Sequence, residues 1–129
     1  MPGTVVATQY ALGAVRRVEF ACAADAADAT FPDTVIPKLE GRLVELITNP
    51  GAVGPTDNYD ITLEDADGAD RLQGGGLNRD ITLTEQVAAV FTGTALHPWV
   101  DGDEVLTLKI ANNAVNAATV KVVLVYLPD

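Results

Sequence analysis

The chain has no serine at any of its 129 positions, and it carries one cysteine, one histidine and one tryptophan. Each shortage excludes chemistry. Serine nucleophiles are absent altogether, and Cys22 with His97 is the one thiol–imidazole pair left to consider. A reactive cysteine needs an exposed setting that stabilises its thiolate. Cys22 instead keeps register with Val18 and Phe20 on the apolar side of VRRVEFAC, which places it in a core. A lone thiol also rules out an intrachain disulfide and suits a compartment where thiols stay reduced. His97, followed by Pro98 and Trp99, reads as a loop or edge residue, because no second His or Cys completes a zinc set with it and Cys22.

Cations are scarce: 8 Lys and Arg stand against 18 Asp and Glu, for a net charge of -10. Phosphate recognition needs clustered Lys and Arg, so nucleic acid is not an expected partner. The acidity fits solubility at high local concentration or docking on a basic protein surface. Long apolar runs are missing too. MPGTVVATQYALG lacks the basic segment of a signal peptide, and Val122 to Leu127 is too short to span a bilayer. The expectation is a protein made in the cytosol with no membrane partner.

Aromatic residues make up 5% of a chain that is 48% hydrophobic, so Val, Leu, Ile and Ala must form the core, anchored at Phe20, Tyr59, Phe91, Trp99 and Tyr126. Such a core suits sheets. The periodicity agrees. Val15 to Cys22 alternates apolar and polar residues, as do Asn58 to Glu64, Gln86 to Thr92 and Glu104 to Ile110. Leu39 to Thr48 contains Gly41 and runs into Asn49-Pro50-Gly51, which favours a strand over a helix. Leu96 to Val100 leads to an Asp-Gly turn, and TVKVVLVYL is apolar on both sides, which predicts a central strand covered twice. Asp65-Ala66-Asp67-Gly68 predicts a hairpin returning through Ala69 to Leu72. Ala23 to Pro37 reads as a loop with a possible turn of helix.

The fold class expected is therefore all-β, an antiparallel β-sandwich or jelly-roll-like barrel of about seven or eight strands. Residues 14–129 are read as a single β-sandwich domain and residues 1–13, apolar but without a clear period, as an N-terminal arm that docks on a neighbour.

Three constellations invite functional readings. Glu64, Asp65, Asp67 and Asp70 cluster carboxylates as calcium sites do, but with Gly68 at the sixth position of a calcium loop the first would be Leu63 and the twelfth Gly74. A solvated hairpin tip accounts for them. Gly74-Gly75-Gly76 lacks the following Gly-Lys-Thr of a phosphate loop, so conformational freedom explains it, with an interface as the functional reading. Trp99 and Tyr59 beside acidic loops are what a carbohydrate- or host-binding module would use. No acid, base and nucleophile assemble into a catalytic set, so no enzyme and no cofactor are expected.

Asn49-Pro50-Gly51, the stretch PTDNYDITLEDADGADRLQGGGLNRD and the closing DGDEVLTLKIANNAVNAATVKVVLVYL resemble a family of small virion structural proteins of tailed bacteriophages. The likeness spans roughly Val15 to Leu127 and is most specific from Pro55 to Asp80. It implies a capsid decoration or cement protein on the head exterior, self-associating as a homotrimer and bridging the phage major capsid protein. A tail or head-fibre base component is the nearest alternative. The residues expected at interfaces are Val5, Val6, Tyr10 and Leu12 of the arm, the Gly74, Gly75, Gly76 loop, and Trp99.

Overall fold

The computed structural model describes residues 2–36, 41–89, 99–100 and 105–128, with the side chains of Leu12, Trp99 and Val100 excepted. Where one face of a segment is apolar and the next residue polar, the chain extends and buries alternate side chains. Among the described residues nine strands result: β1 (Thr4–Leu12), β2 (Val15–Ala23), β3 (Thr34–Val35), β4 (Gly41–Pro50), β5 (Asp60–Glu64), β6 (Glu85–Ala88), β7 (Trp99–Val100), β8 (Thr107–Ala111) and β9 (Thr119–Pro128). They form two antiparallel sheets, a larger one in the order β1-β2-β9-β4-β6 with β7 also on β4, and a smaller one in the order β3-β8-β5. The architecture is the expected all-β sandwich.

One core lies between the sheets. From the larger sheet it takes Val18, Phe20, Cys22, Leu43, Leu46, Val120, Val122, Leu124 and Tyr126, and from the smaller one Ile61, Leu63 and Leu108. Each such side chain contributes about 1.5–3 kcal/mol by leaving water. The surface ion pairs, such as Lys109 Nζ to Glu64 Oε1 at 3.2 Å, are worth about 0–1 kcal/mol each, so burial dominates stability.

β9 is the centre of the larger sheet. Val18 pairs with Leu124 on one side, and Leu46 pairs with the same Leu124 on the other. The expectation of a central strand holds, but that of double cover does not. Val120, Val122 and Leu124 are buried toward the smaller sheet, whereas on the opposite face Lys121 is exposed and Val125 half-buried, with Val123 alone buried. A single apolar face was enough to seat β9 centrally.

Three other expectations change. Ala69 to Leu72 does not return as a strand: one bridge, Glu64 to Asp70, is formed, and β5 pairs with β8 instead. Asp70 explains this, because its Oδ1 accepts from the backbone N–H of Leu63 and Leu72 and its Oδ2 from that of Gly74, which curls the segment into turns. In Ala23 to Pro37 the expected turn of helix is a turn closed by Asp25, whose Oδ1 accepts from Ala27 and Asp28, and it is followed by the two residues of β3. Finally, the segment read as an arm is largely a strand of the sheet. Thr4 to Leu12 pairs residue for residue with Val15 to Ala23 through a two-residue turn at Gly13-Ala14. Gly13 has φ of +63°, the conformation that the first central position of such a hairpin turn requires.

Candidate interaction surface

The two sheets differ in width, and this difference creates the surface of interest. Three strands cannot cover five, so β1 overhangs: Val5 packs against the core, but Ala7, Gln9 and Ala11, which point the same way, are exposed. β1 is also terminal in the strand order, with β2 on one side and no strand on the other among the described residues. Leu12 and Val15 flank the two-residue turn and so form a hydrogen-bonded pair. Alternation from there directs the main-chain N–H and C=O groups of Val5, Ala7, Gln9 and Ala11 away from β2, toward the free edge.

The outer face of the larger sheet is the second component. By register it carries Val6, Thr8 and Tyr10 of β1, Arg17, Glu19 and Ala21 of β2, Lys121, Val123 and Val125 of β9, and Glu45 and Ile47 of β4. Val6 is 60% and Tyr10 40% exposed. Arg17 lies over the Tyr10 ring, 5.4 Å from its centre, and bonds Glu19, which Lys121 also approaches at 3.8 Å. Val123, paired with Glu19 on one side and Ile47 on the other, is buried on this face. Toward the start of β1 the same face sinks into a depression of about 440 Å³ whose lining includes Val6, Ala21, Ala23, Asn49, Thr119 and Lys121.

The residues expected at interfaces therefore do not form one patch. Val6 and Tyr10 share the outer face, Val5 is half-buried beneath it, and Leu12 is the last residue of β1. Trp99 sits across the sheet, its backbone paired with Arg42 beyond β9. Gly74 is exposed and Gly75 half-buried, but Gly76 is buried in its own chain. Its carbonyl accepts from Ile61 N–H at 2.8 Å, and a Cβ there would stand 2.3 Å from the Ile61 carbonyl oxygen. Gly76 thus serves close approach to β5 more than freedom of the loop. Thr8, Ala21 and Ala23 were not expected at a surface site. For Thr8 the signal was the lack of any charged residue from Pro2 to Val15; for Ala21 and Ala23 the sequence carried none.

Other candidate chemistry is dispersed. Cys22 is buried, and the loss of water pushes its thiol up to about 12, so it stays protonated. His97 lies outside the described residues. Asp65 spends Oδ1 on the backbone N–H groups of Asp67 and Ala69 and places Oδ2 3.4 Å from Arg71. Among the described residues no three His, Cys, Asp or Glu side chains converge as a cation site would need. Tyr59 is fully buried, so it cannot serve as the sugar platform that the host-binding reading required of it.

No family model matches the chain, and no curated protein matches it. Among solved structures the chain is similar to one titled Cyanophage Pam1 capsid asymmetric unit, with a TM-score of 0.38 and 18% identity over 99% of this chain and 87% of that one.

Proposed function

We propose that this chain is a virion structural protein of a tailed phage that decorates the head and holds major capsid subunits together from outside. The observation that supports it best is the outer face of the larger sheet, left uncovered by the described residues, where exposed Val6 and Tyr10, half-buried Ile47 and Val125 and the apolar depression interleave with Arg17, Glu19 and Lys121. Apolar anchors within a polar frame are the composition of protein–protein interfaces. The likeness of Pro55 to Asp80 to phage structural proteins gives the class of partner. No catalytic step is part of this reading. Copies of the chain associating with one another complete it; the resemblance implies three, and the free edge of β1 is suited to two.

Cryo-electron microscopy of the intact particle tests it. The expected result is density for the sandwich on the head exterior in many symmetry-related copies, with the outer face of the larger sheet against the shell. Deletion of residues 2–13 is expected to weaken head binding, since it removes Val6 and Tyr10, the ring over which Arg17 lies. Density at the tail or fibre base, or undiminished head binding by the deleted chain, overturns the reading.

A further inference from the structure

We infer that β1 is a homotypic docking strand: two copies of this chain pair their β1 edges antiparallel about a two-fold axis at Thr8, joining the larger sheets into one. The inference stands apart from the virion reading, because such a pair forms, or fails to form, in the purified chain without a capsid.

Three observations carry it. First, β1 is a long exposed edge without the usual guards. Natural edge strands avoid pairing by being short, by carrying Lys or Pro, or by bulging. β1 runs nine residues in unbroken register with β2, and its sequence TVVATQYAL has no charge and no proline. The opposite edge is guarded, since β6 has four residues and begins with Glu85. In the smaller sheet the edge strand β3 has two residues, and β5 has Asp60 and Glu64 at its ends.

Second, charge selects the occupant. Two copies each at -10 repel, so self-association needs a contact zone free of that charge. Residues 2–24 provide it: Arg16, Arg17 and Glu19 are their charged side chains, a net charge of +1 in a chain that is otherwise acidic.

Third, the strand is complementary to itself. Hydrogen bonds across the new edge need the outward-facing residues Val5, Ala7, Gln9 and Ala11 opposite one another. A two-fold axis at Thr8 does this, setting Val5 against the partner's Ala11 and Ala7 against the partner's Gln9, for about eight new main-chain bonds. The same axis sets Val6 against the partner's Tyr10 on the outer face, an aromatic beside a β-branched side chain, which is a favourable cross-strand pair. Thr8 meets the partner's Thr8 as a non-hydrogen-bonded pair, with Cα atoms about 4.5 Å apart.

That register gives the test. Cys22 is the chain's one cysteine and is buried, so an added thiol reports alone. Under mild oxidation Thr8→Cys is expected to form a disulfide-linked dimer, since Cα atoms about 4.5 Å apart lie within bridging range. Val6→Cys, equally exposed but four residues from its own symmetry mate across the pair, is expected to remain uncrosslinked. Sedimentation of the unmodified chain at tens of micromolar should show dimer. Thr8→Lys and Thr8→Glu should each be monomeric, and their mixture should regain the dimer, which a mere folding defect would not do. A monomeric unmodified chain, a dimer that persists in both charge variants, a mixture that stays monomeric, or equal crosslinking at Val6 and Thr8 overturns the inference.

Discussion

At the scale of single residues, burial decides what each reactive group can do. Cys22 is the clearest case. Its sulfur donates to the Phe20 carbonyl at 3.5 Å and is surrounded by apolar side chains, so the thiolate that alkylating reagents require is suppressed. We expect iodoacetamide to modify Cys22 slowly in the folded chain and rapidly once urea unfolds it, a difference that mass spectrometry measures directly; fast labelling under native conditions would contradict its place in the core. This residue was legible in the sequence because its neighbours two and four positions back, Phe20 and Val18, are apolar and share its face. Tyr59 was half legible. Its period with Ile61 and Leu63 placed it in the core, yet the same ring also looked available to a sugar, since the sequence does not say how completely the fold encloses it.

At the scale of elements, legibility followed one-sided burial. β2 and β5 each bury one face and alternation announced them, whereas β4 was legible through Gly41 and its Asn49-Pro50-Gly51 stop and β9 through its apolar run. β1 buries little beyond Val5, and with both faces exposed and uncharged it shows no period; its hairpin is specified by Gly13 and by β2, not by its own pattern. The stretch after Gly68 misled for a different reason. Asp70 satisfies three backbone N–H groups locally, a competitor to strand pairing that composition does not reveal. The glycine loop that follows is held by contact. We expect Gly76→Ala to cost about 1–3 kcal/mol, as overpacking does, because the new methyl group meets the Ile61 carbonyl in a strand that cannot retreat. Gly74→Ala is the comparison: its φ of +82° disfavours Ala, but only the tip of Leu77 lies nearby at 3.8 Å. Urea midpoints for the two variants separate steric exclusion from backbone strain, and an unchanged midpoint for Gly76→Ala would remove the close-approach explanation.

For the whole molecule, acid is the informative perturbation. Asp80 accepts from the backbone N–H groups of Leu83 and Thr82 and from the Thr82 hydroxyl, and Asp65 accepts from those of Ala69 and Asp67; these bonds hold both carboxyls below their ordinary value of 3.8. Asp28, bonded by the Thr30 hydroxyl and N–H, is lowered in the same way. A carboxylate whose pKa falls on folding adds stability that is fully present above its unfolded value and is lost as pH drops through the folded one. Stability should therefore hold from neutral pH to about 4 and fall below it. Asp80→Asn is expected to be less stable than the parent at pH 7, with a smaller gap at pH 3, below the ordinary carboxyl value of 3.8, because the stability from a lowered carboxyl is lost as the pH falls toward its folded value. Urea midpoints at the two pH values check this, and a gap that stays constant would show that Asp80 acts through shape alone. The same descent passes the sequence pI of about 4.2, where mutual repulsion between copies vanishes.

The position of β9 has a temporal consequence. β2 and β4 do not pair with each other; the larger sheet joins them through a strand that follows both by many tens of residues, so the sandwich cannot close while β9 is still being synthesised. The β1–β2 hairpin, by contrast, is complete within the first 23 residues and needs only local contacts.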